Sequence, residues 1–227
     1  MERARVDAGD APEVRGAAAS APDAAKPAPT KSARTRERIL DAAAHVLSRK
    51  GYAGTRLADV AAHAGVQAPA IYYHFASRDE LIEEVMWVGA ARVHAHVVAE
   101  LDALPTEATP LERILKAVEE HLRYELAISD YTTASIRNAN QVPEELRAKS
   151  AAEEAAYARL WRDLLIAAQE AGQLRADLDV TVSRFLLLGA MNWAAEWWNP
   201  RHRTLEDLVA ATQELVRHGL GAPPPVE

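Results

Sequence analysis

Two short apolar-faced segments joined at a single glycine, Leu57 to Ala64 and Pro69 to Phe75, constrain this chain more than any other feature. In the first, Leu57, Val60, Ala61 and Ala64 recur at i, i+3, i+4 and i+7, the spacing of one helix face. Gly65 supplies the turn, a position that a residue without a Cβ occupies freely. Pro69 fits the first turn of the next helix, where its missing N–H is not needed. Ile71 is the expected inward anchor of that helix, and Phe75 closes it. Tyr72 and Tyr73 are adjacent, so they cannot both face inward and at least one is exposed. A helix, a tight turn and a short helix bearing exposed aromatics and His74 form the layout of a helix-turn-helix, which seats a short helix in a DNA major groove.

The flanking sequence extends this unit. Ile39, Leu40, Ala43, Val46 and Leu47 predict a first helix that begins near Ala33 to Thr35 and is closed by Gly51, with Arg49 and Lys50 well placed against its dipole. Thr55 reads as the N-cap of the second helix. Ser77 with Glu80 three residues on is a capping box, opening a fourth helix through Leu81, Ile82, Val85, Val88 and Val93 to about Ala103. Helical patterns then cover 110–128, 130–139, 143–172, 179–198 and 204–219. No strand-like alternation and no solenoid repeat occurs, so the expected fold is all-α with about nine helices. The expected organisation is a disordered Ala/Pro-rich arm over 1–32 and a helix-turn-helix domain over 33–78. A ligand-binding and dimerisation domain follows over 79–220, then a tail over 221–227.

The net charge of −7 is misleading as an average. Residues 31–78 hold 8 basic and 3 acidic side chains, net +5, while residues 79–227 hold 14 and 25, net −11. A basic head on an acidic body suits a DNA reader whose body is kept off phosphate. The absence of cysteine excludes disulfide and thiolate chemistry, and a reducing cytoplasm is the expected location. No apolar run reaches the roughly 18–20 residues that span a bilayer, and residues 1–30 lack the apolar stretch of a signal peptide.

The first 80 or so residues resemble the TetR family of transcriptional regulators. The likeness runs from Thr35-Arg36-Glu37-Arg38-Ile39-Leu40-Asp41-Ala42-Ala43 through Gly51-Tyr52-Ala53-Gly54-Thr55, Asp59-Val60-Ala61 and Gly65-Val66. It continues through Ile71-Tyr72-Tyr73-His74-Phe75 to Arg78-Asp79-Glu80-Leu81. The spacing of these blocks, more than any one of them, carries it. The resemblance implies a three-helix DNA-binding domain, a divergent helical ligand domain, a homodimer, and a small molecule that lowers DNA affinity. Ala176-Asp177-Leu178-Asp179-Val180 and Trp197-Trp198-Asn199-Pro200 are similar to members governing fatty-acid or other CoA-thioester catabolism. Leu188 and Asn192 stand where such members carry a polar CoA-binding pair, and no arginine is present there.

Carried over position by position, the resemblance places Tyr72, Tyr73 and His74 on the DNA backbone and Arg78 on a phosphate. Thr55 offers a hydroxyl and helix N–H groups to phosphate, and Arg56 reaches a phosphate or a guanine edge. Gln67 suits adenine, and Ala68, Pro69 and Ala70 offer methyl-sized contacts to thymine. Arg34 and Arg36 are expected ahead of the first helix, within reach of a minor groove or phosphate.

In the body, 179–198 is apolar nearly all round and 204–219 carries one apolar stripe. Phe185, Leu188 and Trp197 with Leu205, Leu208, Val209, Leu215 and Val216 are therefore expected to build a four-helix dimer interface. The alternative is packing within one chain. Trp87, Tyr124, Tyr131, Trp161, Met191 and Trp193 sit on helices that line the family's pocket, with His121, Arg137, Asn138 and Asn192 as polar anchors. Each aromatic has plain core packing as its alternative. Together they point to an apolar or amphipathic effector: acyl-CoA-like, or a hydrophobic drug in an efflux regulator. The expected output is repression at a palindromic operator, with activation as the alternative. An enzyme is not expected. His94 and His96 point to different helix faces, Glu119-Glu120-His121 lacks a second zinc-type histidine, and there is no Gly-rich phosphate loop. No metal or cofactor is expected.

Overall fold

The computed structural model describes residues 30–223. Within them the chain forms nine α-helices: α1 (Lys31–Gly54), α2 (Leu57–Ala64), α3 (Ala68–His74), α4 (Arg78–Asp102), α5 (Pro110–Arg123), α6 (Asp130–Asn138), α7 (Ala148–Glu170), α8 (Val180–Trp197) and α9 (Leu205–Gly219). A π turn, Tyr124–Ile128, continues α5, and a 3₁₀ turn, Glu144–Arg147, leads into α7. The described residues hold no strand, only one isolated bridge between Leu174 and Gly221. Most of the expected arm and the last residues of the expected tail lie outside the described residues.

The helix ends follow local chemistry, with two corrections. Thr30 caps α1 by accepting from the Ala33 N–H, so the helix starts earlier than expected and Arg34 and Arg36 lie inside it. Gly51, at φ 70°, breaks the helix as expected, and one further turn runs to Gly54. Thr55 is not the N-cap of α2: its hydroxyl donates back to Gly51 O at 2.8 Å, and Arg56 occupies the cap without a side-chain bond. Ser77 accepts from the Glu80 N–H to start α4. Thr109 and Glu112 form a reciprocal capping box at α5.

Two apolar cores share α4. The first gathers Ile39 and Leu47 of α1, Val60 of α2, Ile71 and Phe75 around α3, and Leu81, Val85 and Met86 of α4. Tyr131 and Ala134 of α6 complete it, so the three-helix head is finished by the body. The second core holds Val97 and Leu101 of α4, Ile114 and Val118 of α5, Trp161 and Leu165 of α7, Met191 of α8, and Val209 and Val216 of α9. Helices α4 and α6 cross at Gly89, where an added Cβ would lie 2.5 Å from Tyr131 O. Gly89 therefore permits close packing of α4 on α6.

Candidate DNA-binding face and ligand cavity

Gly65, at φ 62°, turns the chain between α2 and α3, and Arg38 of α1 fastens that turn by donating to Ala64 O and Gly65 O. With Ile71 and Phe75 buried below, the outer side of α3 is left to solvent. Tyr73 is 80% exposed and Tyr72 59%, so both tyrosines point outward. The His74 ring meets Tyr73 edge-on at 5.0 Å. Gln67, Ala68 and Pro69 are exposed at the front of α3, and Ala70 is half-buried. Arg56 is exposed at the front of α2.

Other head residues are engaged internally. Arg78 donates through Nε to Thr55 O at 2.8 Å, donates also to Tyr52 O, and stacks over the Tyr52 ring. Arg36 pairs with Glu84 at 2.9 Å and lies over Phe75. Thr55 is buried. Arg36 and Arg78 brace the head on α4, with Thr55 held through its carbonyl, and the Arg36 side chain stays 42% exposed.

The head is locked to the body through α6. Tyr131 donates to Asp41 at 2.7 Å, His45 pairs with Asp130 at 2.9 Å, and Arg137 donates to Ser48 O at 3.0 Å. Asn138 accepts from the Tyr52 N–H at 2.8 Å and donates to Leu47 O. Burial and the adjacent Asp41 carboxylate push the Tyr131 hydroxyl well above the ordinary tyrosine range, so it stays a donor.

The opposite face of α6 borders a cavity of about 250 Å³ between α4, α5, α6, α7 and α8. Ala90, Val93, Ile136 and Leu188 supply apolar wall; His121, Thr132, Ser135, Tyr157 and Asn192 supply polar groups. Tyr157 and His121 Nδ1 are 2.9 Å apart, and His121 Nε2 is 3.0 Å from Asn192 Oδ1. Asn192 Oδ1 can only accept, so Nε2 carries a proton toward it, and burial raises Tyr157 far above its usual range, so its hydroxyl stays protonated beside Nδ1. Behind the imidazole, on the π turn, lies the fully buried Glu125, 3.3 Å from Nε2. Burial raises its carboxyl above the ordinary value, opposed by His121.

Of the expected pocket residues, His121 and Asn192 line this cavity. Trp161 is core behind the wall, edge-on to His121 and Tyr157. Tyr131 and Arg137 belong to the head–body joint. Trp87 lies under Lys149, and Tyr124 packs on His96. Met191 is buried core, and Trp193 is 64% exposed on the outside of α8. Thr132, Ser135, Tyr157 and Glu125 were not found from sequence. The polar i, i+3 pair Thr132 and Ser135 was the available signal, while a π turn leaves no periodic trace.

Along the outside of α8, Val182, Leu186, Trp193 and Trp197 form one exposed stripe with Phe185 beside it, and Leu215 of α9 is exposed nearby. An apolar groove of about 550 Å³ runs between α8 and α9. Val209 is buried in its own chain's core and does not reach this surface, whereas Val216, though buried, and Leu208 line the groove. Leu188 turns into the cavity, and Leu205 and Leu208 pack partly against the core.

His96, Glu100 and Glu120 bring ligand-type atoms within 4.8 Å of one another. The Lys116 ammonium already sits among them, 2.5 Å from Glu120 and 3.3 Å from Glu100. Burial would raise the Glu120 carboxyl, but Lys116 and His96 outweigh it and hold it low. The cluster is an ion network in which the Lys116 ammonium takes the place a metal cation would occupy.

Residues 39–85 match the N-terminal domain of bacterial regulatory proteins of the tetR family, and residues 107–220 match a tetracyclin repressor-like C-terminal domain. The chain belongs to the TetR family. The transcriptional repressor KstR2 of Mycobacterium tuberculosis is 25% identical over 177 residues, covering 73% of this chain and 82% of that protein. The fatty acid metabolism regulator protein of Bacillus subtilis is 22% identical over 186 residues, covering 80% and 93%. The solved structure of AibR with isovaleryl coenzyme A and operator DNA superposes with a TM-score of 0.72 at 22% identity, covering 80% of this chain and 97% of that one. This TetR chain shares its fold with AibR, and its named relatives are regulators of transcription. Among its described residues no helix is long and apolar enough to cross a membrane.

Proposed function

We propose that this TetR-family chain is a homodimeric, effector-released repressor that acts in the cytoplasm on a palindromic operator. One observation carries the reading: α6 has the head's α1 on one side and a largely apolar cavity on the other. A ligand that fits the cavity only when α6 shifts must change how α1 holds α2 and α3, which is the differential binding that coupling requires. Helix α4, which enters both cores, moves with it.

The exposed Tyr72, Tyr73, Gln67 and Arg56 are the contacts to DNA, the first two to phosphate and Gln67 to a base. Ala68 and Pro69 supply small apolar contacts, and His74 supports Tyr73. The exposed apolar stripe on α8, with Leu215 and the α8–α9 groove, is the surface where a second copy docks. An acyl thioester is the favoured effector class, since the relatives include a fatty acid metabolism regulator and AibR was solved with an acyl-CoA. A hydrophobic drug is the second reading, supported by the apolar walls.

The test is operator selection from random duplex DNA, followed by titration of the complex with short- and long-chain acyl-CoAs. The expected product is an inverted repeat with half-sites about one helical turn apart, released by an acyl-CoA. Selection of no sequence refutes the regulator reading; release by hydrophobic drugs alone refutes the acyl-CoA assignment.

A further inference from the structure

The cavity lining is uneven in charge. Among the described residues Glu154 is its one acid, and neither lysine nor arginine borders it. Glu125 lies behind His121, within ion-pair reach yet without hydrogen-bond geometry to either oxygen. An anionic head in this space would meet the Glu154 carboxyl and no lysine or arginine among the described residues, and a desolvated anion without a partner is strongly disfavoured.

Neutral hydrogen-bonding groups are plentiful by contrast. Thr132 borders the cavity and is 1% exposed, and no group among the described residues lies in hydrogen-bond geometry with its hydroxyl. A buried hydroxyl left unpaired disfavours the folded state, and in a native protein it calls for an explanation. Asn192 is fixed in the complementary sense: its Oδ1 accepts from His121 Nε2, which leaves its NH₂ free to donate.

We propose that the cavity takes the uncharged, carbonyl-bearing head of a small effector, a thioester, ester, amide or ketone. Thr132 and Asn192 donate to the carbonyl oxygen, and a short apolar remainder lies against Ala90, Val93 and Leu188. A dry cavity of about 150 Å³ holds benzene, so about 250 Å³ holds about ten non-hydrogen atoms. A free carboxylate and a long straight chain are both excluded, and the phosphates of a CoA carrier stay outside. This inference rests on the effector-responsive reading above and names the chemistry of its ligand.

The experiment uses the full chain and a set of fragments matched in shape: carboxylates, primary amines, hydrocarbons, and neutral amides and esters. Affinities are measured by ligand-detected NMR, and melting is followed for the parent, Thr132→Val and Asn192→Leu. Neutral carbonyl fragments are expected to bind at least tenfold more tightly than their matched acids, amines and hydrocarbons. Thr132→Val is expected to lose that preference while melting above the parent without ligand, because a methyl replaces the unpaired hydroxyl. A purely structural threonine would lower melting and leave the preference intact. Equal binding of acids, amines or hydrocarbons overturns the proposal. So does neutral binding indifferent to both variants, or no binding by any class. Neutral fragments that bind without releasing operator uphold the cavity's chemistry and refute its regulatory role. Release by a carboxylate does the reverse.

Discussion

Replacing Gly89 by alanine has an outcome whose sign separates two views of α4. If glycine serves to soften a long helix, alanine stabilises the protein by about 1 kcal/mol through helix propensity alone. The structure predicts the opposite. The new Cβ would lie 2.5 Å from Tyr131 O, 3.0 Å from the same carbonyl carbon and 2.9 Å from Ser135 Cβ. A backbone carbonyl within a helix cannot rotate aside, so α6 must move as a body. Such overpacking costs about 1–3 kcal/mol. Set against the propensity gain, the net expectation is a loss of about 1 kcal/mol, and up to about 2 if α6 cannot yield. For a chain of this size that lowers the melting midpoint by about 2–8 °C. Urea and thermal unfolding at one fixed protein concentration measure it. A Gly89→Ala protein at least as stable as the parent would refute the close crossing of α4 and α6, and with it the shared wall of the cavity.

Other expectations concern the head, the outer face of α8 and the buried carboxyl. Tyr73→Ala should weaken operator and non-operator DNA alike, by about tenfold, as loss of a phosphate contact does. Gln67→Ala should instead narrow discrimination at one base pair by about 1–3 kcal/mol. Binding titrations on both DNAs test the pair, and a loss confined to operator for Tyr73→Ala contradicts its role. Leu186→Glu should leave a folded monomer in sedimentation, with operator affinity down by about 10²-fold or more because two half-sites are no longer held together. An intact dimer would remove α8 from the interface. Glu125→Gln tests the buried acid. Its carboxyl is raised in the folded state, chiefly by burial, so the folded chain keeps a proton that the unfolded chain releases. Its burden on stability is therefore absent below the ordinary carboxyl range and grows as pH rises toward the folded value. Glutamine should raise stability by about 1–3 kcal/mol near pH 8 and by less near pH 5, read from urea midpoints; an equal effect at both would show that the carboxyl is not raised.

The parts legible from sequence are those that local chemistry specifies. Gly51 and Gly65 take positive φ where their turns require it, and Ser77 caps α4. Ile71 and Phe75 go inward and leave Tyr72 and Tyr73 outside, since four positions around a short helix cannot all be covered. The all-round apolar character of α8 also has its counterpart. Met191 enters the core, Leu188 and Asn192 face the cavity, and Trp193 and Trp197 stay outside. Periodicity shows that a residue lies on an apolar face but not which neighbour covers that face. Trp161 and Trp193 look alike as pocket aromatics in sequence, yet one is sealed core and the other is solvent-exposed. Arg36 and Arg78 look like unpartnered cations in sequence, yet Glu84, Thr55 O and Tyr52 O are brought to them from other elements.

By itself, the amino-acid sequence determined the helical class, the helix-turn-helix, the family and the basic head on an acidic body. Those depend on residue spacing, capping and turn chemistry within a few positions along the chain. The joint of α6 with α1, the small cavity with its unpaired threonine, and the buried Glu125 were decided only by the tertiary structure. Each depends on groups tens of residues apart meeting within a few ångströms, as Asp41 meets Tyr131 and His121 meets Asn192. Burial, which raises the Glu125 carboxyl, is a property of the packed body that no local pattern encodes.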